Sequence, residues 1–289
     1  MSFTQSIARL GSLVKVSHTV FALPFALSAA VLASAYAELT WRKVLLIVFC
    51  ITAARTAAMA FNRLVDRHID GRNPRTRNRE LPAGVLSVGM VRGLVVISVL
   101  AFVAGAYALG PVPAMLSPIA LSLALGYSYA KRFTSWCHLI LGAAIALAPG
   151  GAWIAMGAPV TLAPWLLVIG VATWVGGFDV LYSLQDREFD QDNALYSIPT
   201  RFGVTGALWI SGLLHVVTVA CLSVVGVLLQ RGPAYAAGVI LVFAILAYEH
   251  GIVRPNDLSR INMAFFDLNG YVSVGFLLCV LADHYLLGG

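Results

Sequence analysis

Charge is what this chain has least of. Lysine, arginine, aspartate and glutamate make up 11% of its 289 residues, against 60% hydrophobic residues. Soluble domains carry about a quarter charged residues; with a mean hydropathy of +0.85, a water-soluble globule of this length is excluded. Long polar stretches are lacking too. The longest are the connections 66–87 and 186–205, and neither has room for a soluble domain. Cysteine is sparse: Cys50, Cys137, Cys221 and Cys279 stand singly in apolar segments, without the paired spacing of a metal or redox site, and read as small buried residues. No Ser–His or Cys–His nucleophile stands out, and no basic stripe with interleaved aromatics lies on a polar element, so nucleic-acid binding is a poor reading.

What is abundant is apolar sequence long enough to cross a bilayer. The runs fall at 16–37, 43–65, 88–110, 112–129, 136–157, 163–185, 206–230, 233–252 and 262–286, predicting nine transmembrane helices, the third and fourth divided only at Gly110-Pro111. Lys15 followed by an apolar run ending in Ala33-Ser34-Ala35 has the layout of a secretory signal. That run is too long for one and eight more spans come after it, so it reads as an uncleaved first helix. The whole of 1–289 is expected to form a single integral-membrane domain.

Orientation is set by the basic residues. With the amino terminus in the cytoplasm, one side carries Arg9, Lys15, the cations from Arg63 to Arg92, Lys131, Arg132, Arg187, Arg201, Arg254 and Arg260. The other carries only Arg42, Lys43 and Arg231. The net charge of +6 is thus topological, and the chain is expected in the cytoplasmic (inner) membrane with its active site opening to the cytoplasm.

The rare acids are concentrated. Asn62, Asp66 and Asp70 end the second span, and Asp179, Asp186 and Asp190 end the sixth. At about 100° per residue, spacings of four and eight keep the first trio on one helical stripe. Offsets of seven and eleven predict a shared face for the second trio as well. Like charges on one face repel and are costly to desolvate near a membrane, so something positive is expected between them. Adding 120 to the first trio's numbers gives Tyr182, Asp186 and Asp190, and each cluster is followed by a proline and a glycine (Pro82 and Gly84, Pro199 and Gly203), which suggests two pseudo-repeated halves about a central cavity.

Mg²⁺ takes oxygen ligands and is commonly held by one or two carboxylates plus substrate phosphates. Cations lie nearby in sequence: Arg72, Arg75, Arg77 and Arg79 after the first cluster, Lys131 and Arg132 between the fourth and fifth spans, and Arg201 after the second. Guanidinium forks suit phosphate oxygens. Metal with a ring of cations points to a diphosphate.

These residues match a family. Asn62-x3-Asp66-x3-Asp70 with Arg75-Thr76-x2-Arg79 and Pro82-x-Gly84 resembles the first signature of UbiA-type membrane aromatic prenyltransferases. Asp179-x2-Tyr182-x3-Asp186-x3-Asp190 resembles the second, and Tyr127-x3-Lys131-Arg132-x-Thr134 the connection between them. One departure is Arg63, where many members have Asp. The resemblance implies an all-α bundle and Mg²⁺-dependent transfer of a polyprenyl chain from polyprenyl diphosphate to an aromatic carboxylic acid. By that match Asn62, Asp66, Asp70, Asp179, Asp186 and Asp190 would serve the metal, with Asp66, Asp70, Asp186 and Asp190 catalytic, and Arg75, Arg79, Lys131 and Arg132 would grip the diphosphate.

Arg55 lies seven residues before Asn62 on the same face and deeper in the membrane, where a charged group faces a cavity or a partner. It is assigned to the acceptor's carboxylate, with His18 and Tyr182 as further acceptor contacts. Arg63, Arg67 and Arg187 turn away from the acidic stripes, toward topology or headgroup roles, and Glu249, Asp257, Asp267 and Asn269 have no assigned chemistry. The acceptor is 4-hydroxybenzoate, leading to ubiquinone, or 1,4-dihydroxy-6-naphthoate, leading to menaquinone; the Ser17–Pro24 run resembles the menaquinone subgroup. Alternatives are a secondary transporter and a related transferase with a porphyrin-type acceptor. The bilayer is the expected surrounding, with no obligate protein partner.

Overall fold

The structure, a computed structural model, describes Leu13 and residues 19–286. Those residues are helical throughout, apart from connections and one isolated backbone bridge between Arg254 and Asp257. The helices are α1 (Thr19–Ala33), α2 (Trp41–Arg72), α3 (Val88–Leu109), α4 (Pro111–Gly126), α5 (Cys137–Met156), α6 (Leu162–Ser183), the short α7 (Arg187–Asp192), α8 (Ile198–Leu228), α9 (Pro233–Ile252) and α10 (Ile261–Tyr285). A 3₁₀ turn, Tyr127–Arg132, continues α4, and another, Leu184–Asp186, joins α6 to α7.

Among the described residues eight helical stretches are long and apolar enough to span a bilayer, and α1 is a shorter apolar helix of 15 residues. The chain is an all-α polytopic membrane protein. Gly110 and Pro111 do divide the third expected span from the fourth: α3 ends at Leu109, and Pro111 opens α4, where its missing N–H costs nothing. Two boundaries differ most from the sequence reading. α2 runs on to Arg72, past the expected 65, because its acidic stripe is itself helical. α8 starts at Ile198 rather than 206, set by a capping box in which Ser197 and Thr200 exchange side-chain and backbone hydrogen bonds.

By internal contacts the chain divides into two compact units, one built on Leu46–Tyr129 and the other on Val20–Leu45 with Ala130 onward. In the first, α3 packs on α4. Leu13, Ala60, Leu64, Leu81, Leu86 and Val91 form an apolar cluster that seats the connection after α2 against that helix.

In the second unit α6 packs against both α5 and α8. The approach is close because the contact points have no side chain: a Cβ on Gly142 would collide with the backbone carbonyl of Ala172, and one on Gly177 with the ring of His215. Phe25, Trp174, Phe178, Phe265 and Phe276 build an aromatic core, with Phe25 stacked on Phe276 and Trp174 edge-on to Phe178. A polar network crosses it. Trp174 Nε1 donates to Asn269 Oδ1 at 2.7 Å, and Asn269 Nδ2 donates to the Ala264 carbonyl at 3.0 Å, beside a π-helical turn at Ala264–Leu268. Glu249 and Asn269 are therefore interior structural groups, both fully buried. Asp257 instead pins the α9–α10 connection; the Ser259 hydroxyl and N–H bond its carboxylate and hold its pKa below the usual range.

At the start of α9, Asp283 accepts from Gly232 N–H at 3.1 Å, Tyr235 N–H at 3.1 Å and Arg231 Nε at 3.0 Å, so a carboxylate from α10 caps another helix's amino terminus. Trp41, Ile97, Trp209 and Val227 are exposed apolar side chains, an arrangement suited to lipid rather than water.

Candidate functional site

In the first unit the acidic trio sits on the last three turns of the unbroken helix α2. Asn62 Nδ2 donates to Asp66 Oδ2 at 3.2 Å, so the four-residue spacing does bring those side chains together. Asp66 and Asp70 are buried. Arg79 Nη1 donates to Asp70 Oδ1 at 2.8 Å, and Thr76 Oγ1 donates to the Asp70 carbonyl at 3.0 Å, drawing the adjoining loop back onto the helix. Asn73 Oδ1 accepts from the Arg75 N–H at 2.9 Å, shaping the turn that carries Arg75 at the surface. Asp70 Oδ2 is buried with no hydrogen-bond partner among the described residues. A buried carboxylate oxygen in that state is unfavourable unless positive charge lies near; Arg79 and Arg63 supply some, and a bound cation would add more. Arg55 is half-buried on the same helix. Arg63 corrects an expectation: it is buried, 6% exposed, rather than turned toward headgroups, and Arg67 Nη1 bonds the Leu64 carbonyl at 2.9 Å.

The second trio is distributed differently. Asp179 lies in the α-helix α6, Asp186 in the 3₁₀ turn and Asp190 in α7. The uninterrupted helical offsets expected from sequence therefore do not apply, because a 3₁₀ turn advances about 120° per residue rather than 100°. Asp186 and Asp190 are half-buried. Asp179 Oδ2 lies 2.7 Å from His138 Nδ1, a contact no sequence argument anticipated. The signal was available: an ionisable side chain inside an apolar span merits the attention that Arg55 received. Lys131 belongs to the same neighbourhood, since its carbonyl accepts from Tyr196 N–H at 2.8 Å just beyond Asp190; Arg132 ends that turn. Tyr182 stacks on Phe265 with ring centroids 4.0 Å apart, placing it against the aromatic core. His18 lies outside the described residues.

Both acidic sets are followed by a glycine at φ +70°, Gly84 and Gly203. Neither has a neighbour that a Cβ would strike, so the backbone angle alone demands glycine there. At Gly203, ψ of −178° completes a conformation only glycine adopts readily, kinking α8 within its first two turns.

Could these residues hold a divalent ion? Their donors are oxygens, and a buried unpartnered carboxylate oxygen is present at Asp70. Among the described residues no three carboxylate, imidazole or thiol groups form a ready-made ion cage. Both facts suit Mg²⁺, which keeps its waters and is shared between a carboxylate or two and substrate phosphates. They do not suit a closed structural zinc centre.

Known proteins supply the remaining context. The chain is 28% identical over 265 residues to 4-hydroxybenzoate octaprenyltransferase of Vibrio parahaemolyticus, covering 92% of this chain and 90% of that one. To the enzyme of the same name from Edwardsiella ictaluri it is 33% identical over 240 residues, covering 83% of each. Its fold matches the apo structure of a UbiA homologue from Aeropyrum pernix K1 with a TM-score of 0.85 at 31% identity, over 93% of this chain and 98% of that one. A UbiA homologue from Archaeoglobus fulgidus, solved bound to GPP and Mg²⁺, has the same fold with a TM-score of 0.72 at 18% identity, over 95% of this chain and 99% of that one. The profile of the UbiA prenyltransferase family matches residues 22–271, and the chain is a member of that family, an integral-membrane prenyltransferase.

Proposed function

We propose that this enzyme transfers a polyprenyl chain from its diphosphate to an aromatic carboxylic acid, in a Mg²⁺-dependent reaction of respiratory quinone synthesis. The observation that carries the reading is the end of α2: carboxylates on one helical stripe, with Arg79 on one oxygen of Asp70 and the other oxygen buried without a hydrogen-bond partner among the described residues. Asn62, Asp66, Asp70, Asp179, Asp186 and Asp190 would hold the metal, whose charge would neutralise the diphosphate. Arg75, Arg79, Lys131 and Arg132 would take the phosphate oxygens, as donors aimed at charge that grows on the leaving group.

The bond balance is simple. The allylic C–O bond breaks and the diphosphate leaves with the electron pair; a ring carbon ortho to a hydroxyl forms the new C–C bond and its proton is lost. A lipid-embedded setting keeps water from quenching the allylic cation. Arg55 would hold the acceptor's carboxylate, with Tyr182 and His18 as further contacts. The relatives named 4-hydroxybenzoate octaprenyltransferase support 4-hydroxybenzoate as the first acceptor to try. The Ser17–Pro24 resemblance keeps 1,4-dihydroxy-6-naphthoate as the second. The excess of cations on one side of the spans supports an amino terminus and active site facing the cytoplasm.

The test is a membrane assay with labelled polyprenyl diphosphate, Mg²⁺ and each acid in turn. Prenylated product that requires both Mg²⁺ and an acid is expected; product formed equally well with EDTA would overturn the metal assignment. Arg55→Ala should raise the acceptor KM about 10- to 100-fold, the loss of a charge-assisted hydrogen bond. An unchanged acceptor KM removes Arg55 from that role.

A further inference from the structure

We infer that His138 is a positioning residue for Asp179, holding one carboxylate oxygen so that the other faces the metal–diphosphate head. This rests on the function proposed above, and it assigns a role to a side chain outside every motif. His138 lies in the first turn of α5 and is 3% exposed. Its two ring nitrogens have different partners. Nδ1 is 2.7 Å from Asp179 Oδ2, and Nε2 is 3.3 Å from the backbone nitrogen of Ile198.

A backbone N–H can only donate, so Nε2 must present its lone pair to Ile198. The ring proton is thereby fixed on Nδ1 and donated to Asp179. Ile198 is the first residue of α8, and its N–H is one of the donors a helix start leaves without an intrahelical acceptor. The imidazole thus spans three elements: it is rooted in α5, satisfies the start of α8 and holds a carboxylate of α6. Asp179 Oδ1 has no hydrogen-bond partner among the described residues, and its side chain is 22% exposed against 4% for His138. One oxygen is tied inward and one is left available.

Groups that orient a metal-binding carboxylate in this way typically change metal affinity or activity by about 10- to 100-fold when removed. A histidine that merely fills a core would affect folding and leave ligand affinity alone. The two nitrogens allow the cases to be separated. Asn places an N–H near the Nδ1 position and loses the Ile198 contact; Gln reaches the Nε2 position and loses the Asp179 contact.

The experiment titrates detergent-purified full-length chain with Mg²⁺ and geranyl thiodiphosphate, an unreactive donor analogue, monitoring intrinsic tryptophan fluorescence. Thermal unfolding without ligand is measured alongside. His138→Gln and His138→Leu should each weaken analogue binding about 10- to 100-fold, whereas His138→Asn should stay within a few-fold of the unmodified chain. Nitrogen NMR of histidine-labelled protein should show the Nδ1–H tautomer at this ring without any metal present.

Analogue affinity in folded His138→Gln within twofold of the unmodified chain overturns the proposal. So does His138→Asn binding no better than His138→Leu, or a ring protonated on Nε2. Asp179→Asn, run in the same titration, separates the two levels of argument. If it leaves binding unchanged, the metal–diphosphate role of Asp179 falls; if it abolishes binding while His138→Gln does not, only the positioning role falls.

Discussion

The two acidic segments share a spacing and reach it by different means. Asn62, Asp66 and Asp70 ride one continuous helix, and their order is local: an amide bonds the carboxylate one turn on, and a loop nine residues later returns Arg79 to the last acid. Asp179, Asp186 and Asp190 pass through an α-helix, a 3₁₀ turn and a six-residue helix. Their placement depends on other elements, with α5 supplying His138 and the chain beyond Asp190 tied to the Lys131 turn. The first set is built by helix periodicity; the second is assembled by tertiary contacts. Disturbance far along the chain should therefore reach the second set more readily than the first.

The sharpest challenge to that contrast is loss of the acids themselves. Asp66→Ala and Asp186→Ala should both reduce turnover by about 10²- to 10³-fold with the protein still inserted, measured as product per membrane-embedded enzyme. Robust activity in one and none in the other would make the pair unequal partners in chemistry as well as in construction. Removing Arg79 comes next. Arg79→Ala should weaken diphosphate donor binding about tenfold or more, because it strips the charge-assisted bond from a buried carboxylate, read as donor KM.

The glycines give a stability comparison. Gly203→Ala should lower stability by about 1–3 kcal/mol, the range for a residue forced into a glycine-only conformation, and Gly84→Ala by about 1–2 kcal/mol, the cost of a left-handed residue; thermal unfolding in detergent measures both. Equal, negligible shifts would mean that the two loops relax alike. The smallest effect on stability is expected from Asn62→Ala, which removes one hydrogen bond worth about 1 kcal/mol, read by thermal unfolding without metal; its proposed contact to the metal should show separately as a raised Mg²⁺ requirement.

Composition and run lengths made the all-α polytopic fold legible before any coordinates, since apolar stretches of spanning length have few other uses. The trios and their cations identified the prenyltransferase family, which sets the transporter alternative aside. On α2 even the side-chain pairing could be read from four-residue spacing. After Asp179 the same arithmetic failed, because periodicity cannot announce where a helix tightens into a 3₁₀ turn. Arg63 was misjudged although the signal was local: seven residues separate it from Asp70, close to two full turns, so it shares that acid's side of α2 and is buried near Asp70 and Arg79. His138 could have been noticed as an ionisable side chain in an apolar span, but its pairing could not be read, because its partners lie 41 and 60 residues away. Pairings of that range belong to the folded molecule.

The π-helical turn at Ala264–Leu268 bears on how this chain can vary in length. A wider turn accommodates one residue more than regular winding allows, so the helical segments on its two sides keep the facing of a regular helix one residue shorter. Phe265 thereby reaches the aromatic core while Asn269 meets Trp174. Deleting a single residue there would return the turn to regular winding and leave Asp283 on the helix start it caps, whereas a deletion elsewhere in α10 would swing everything downstream by about 100°. Single-residue gaps among relatives should therefore fall within this turn rather than elsewhere along α10.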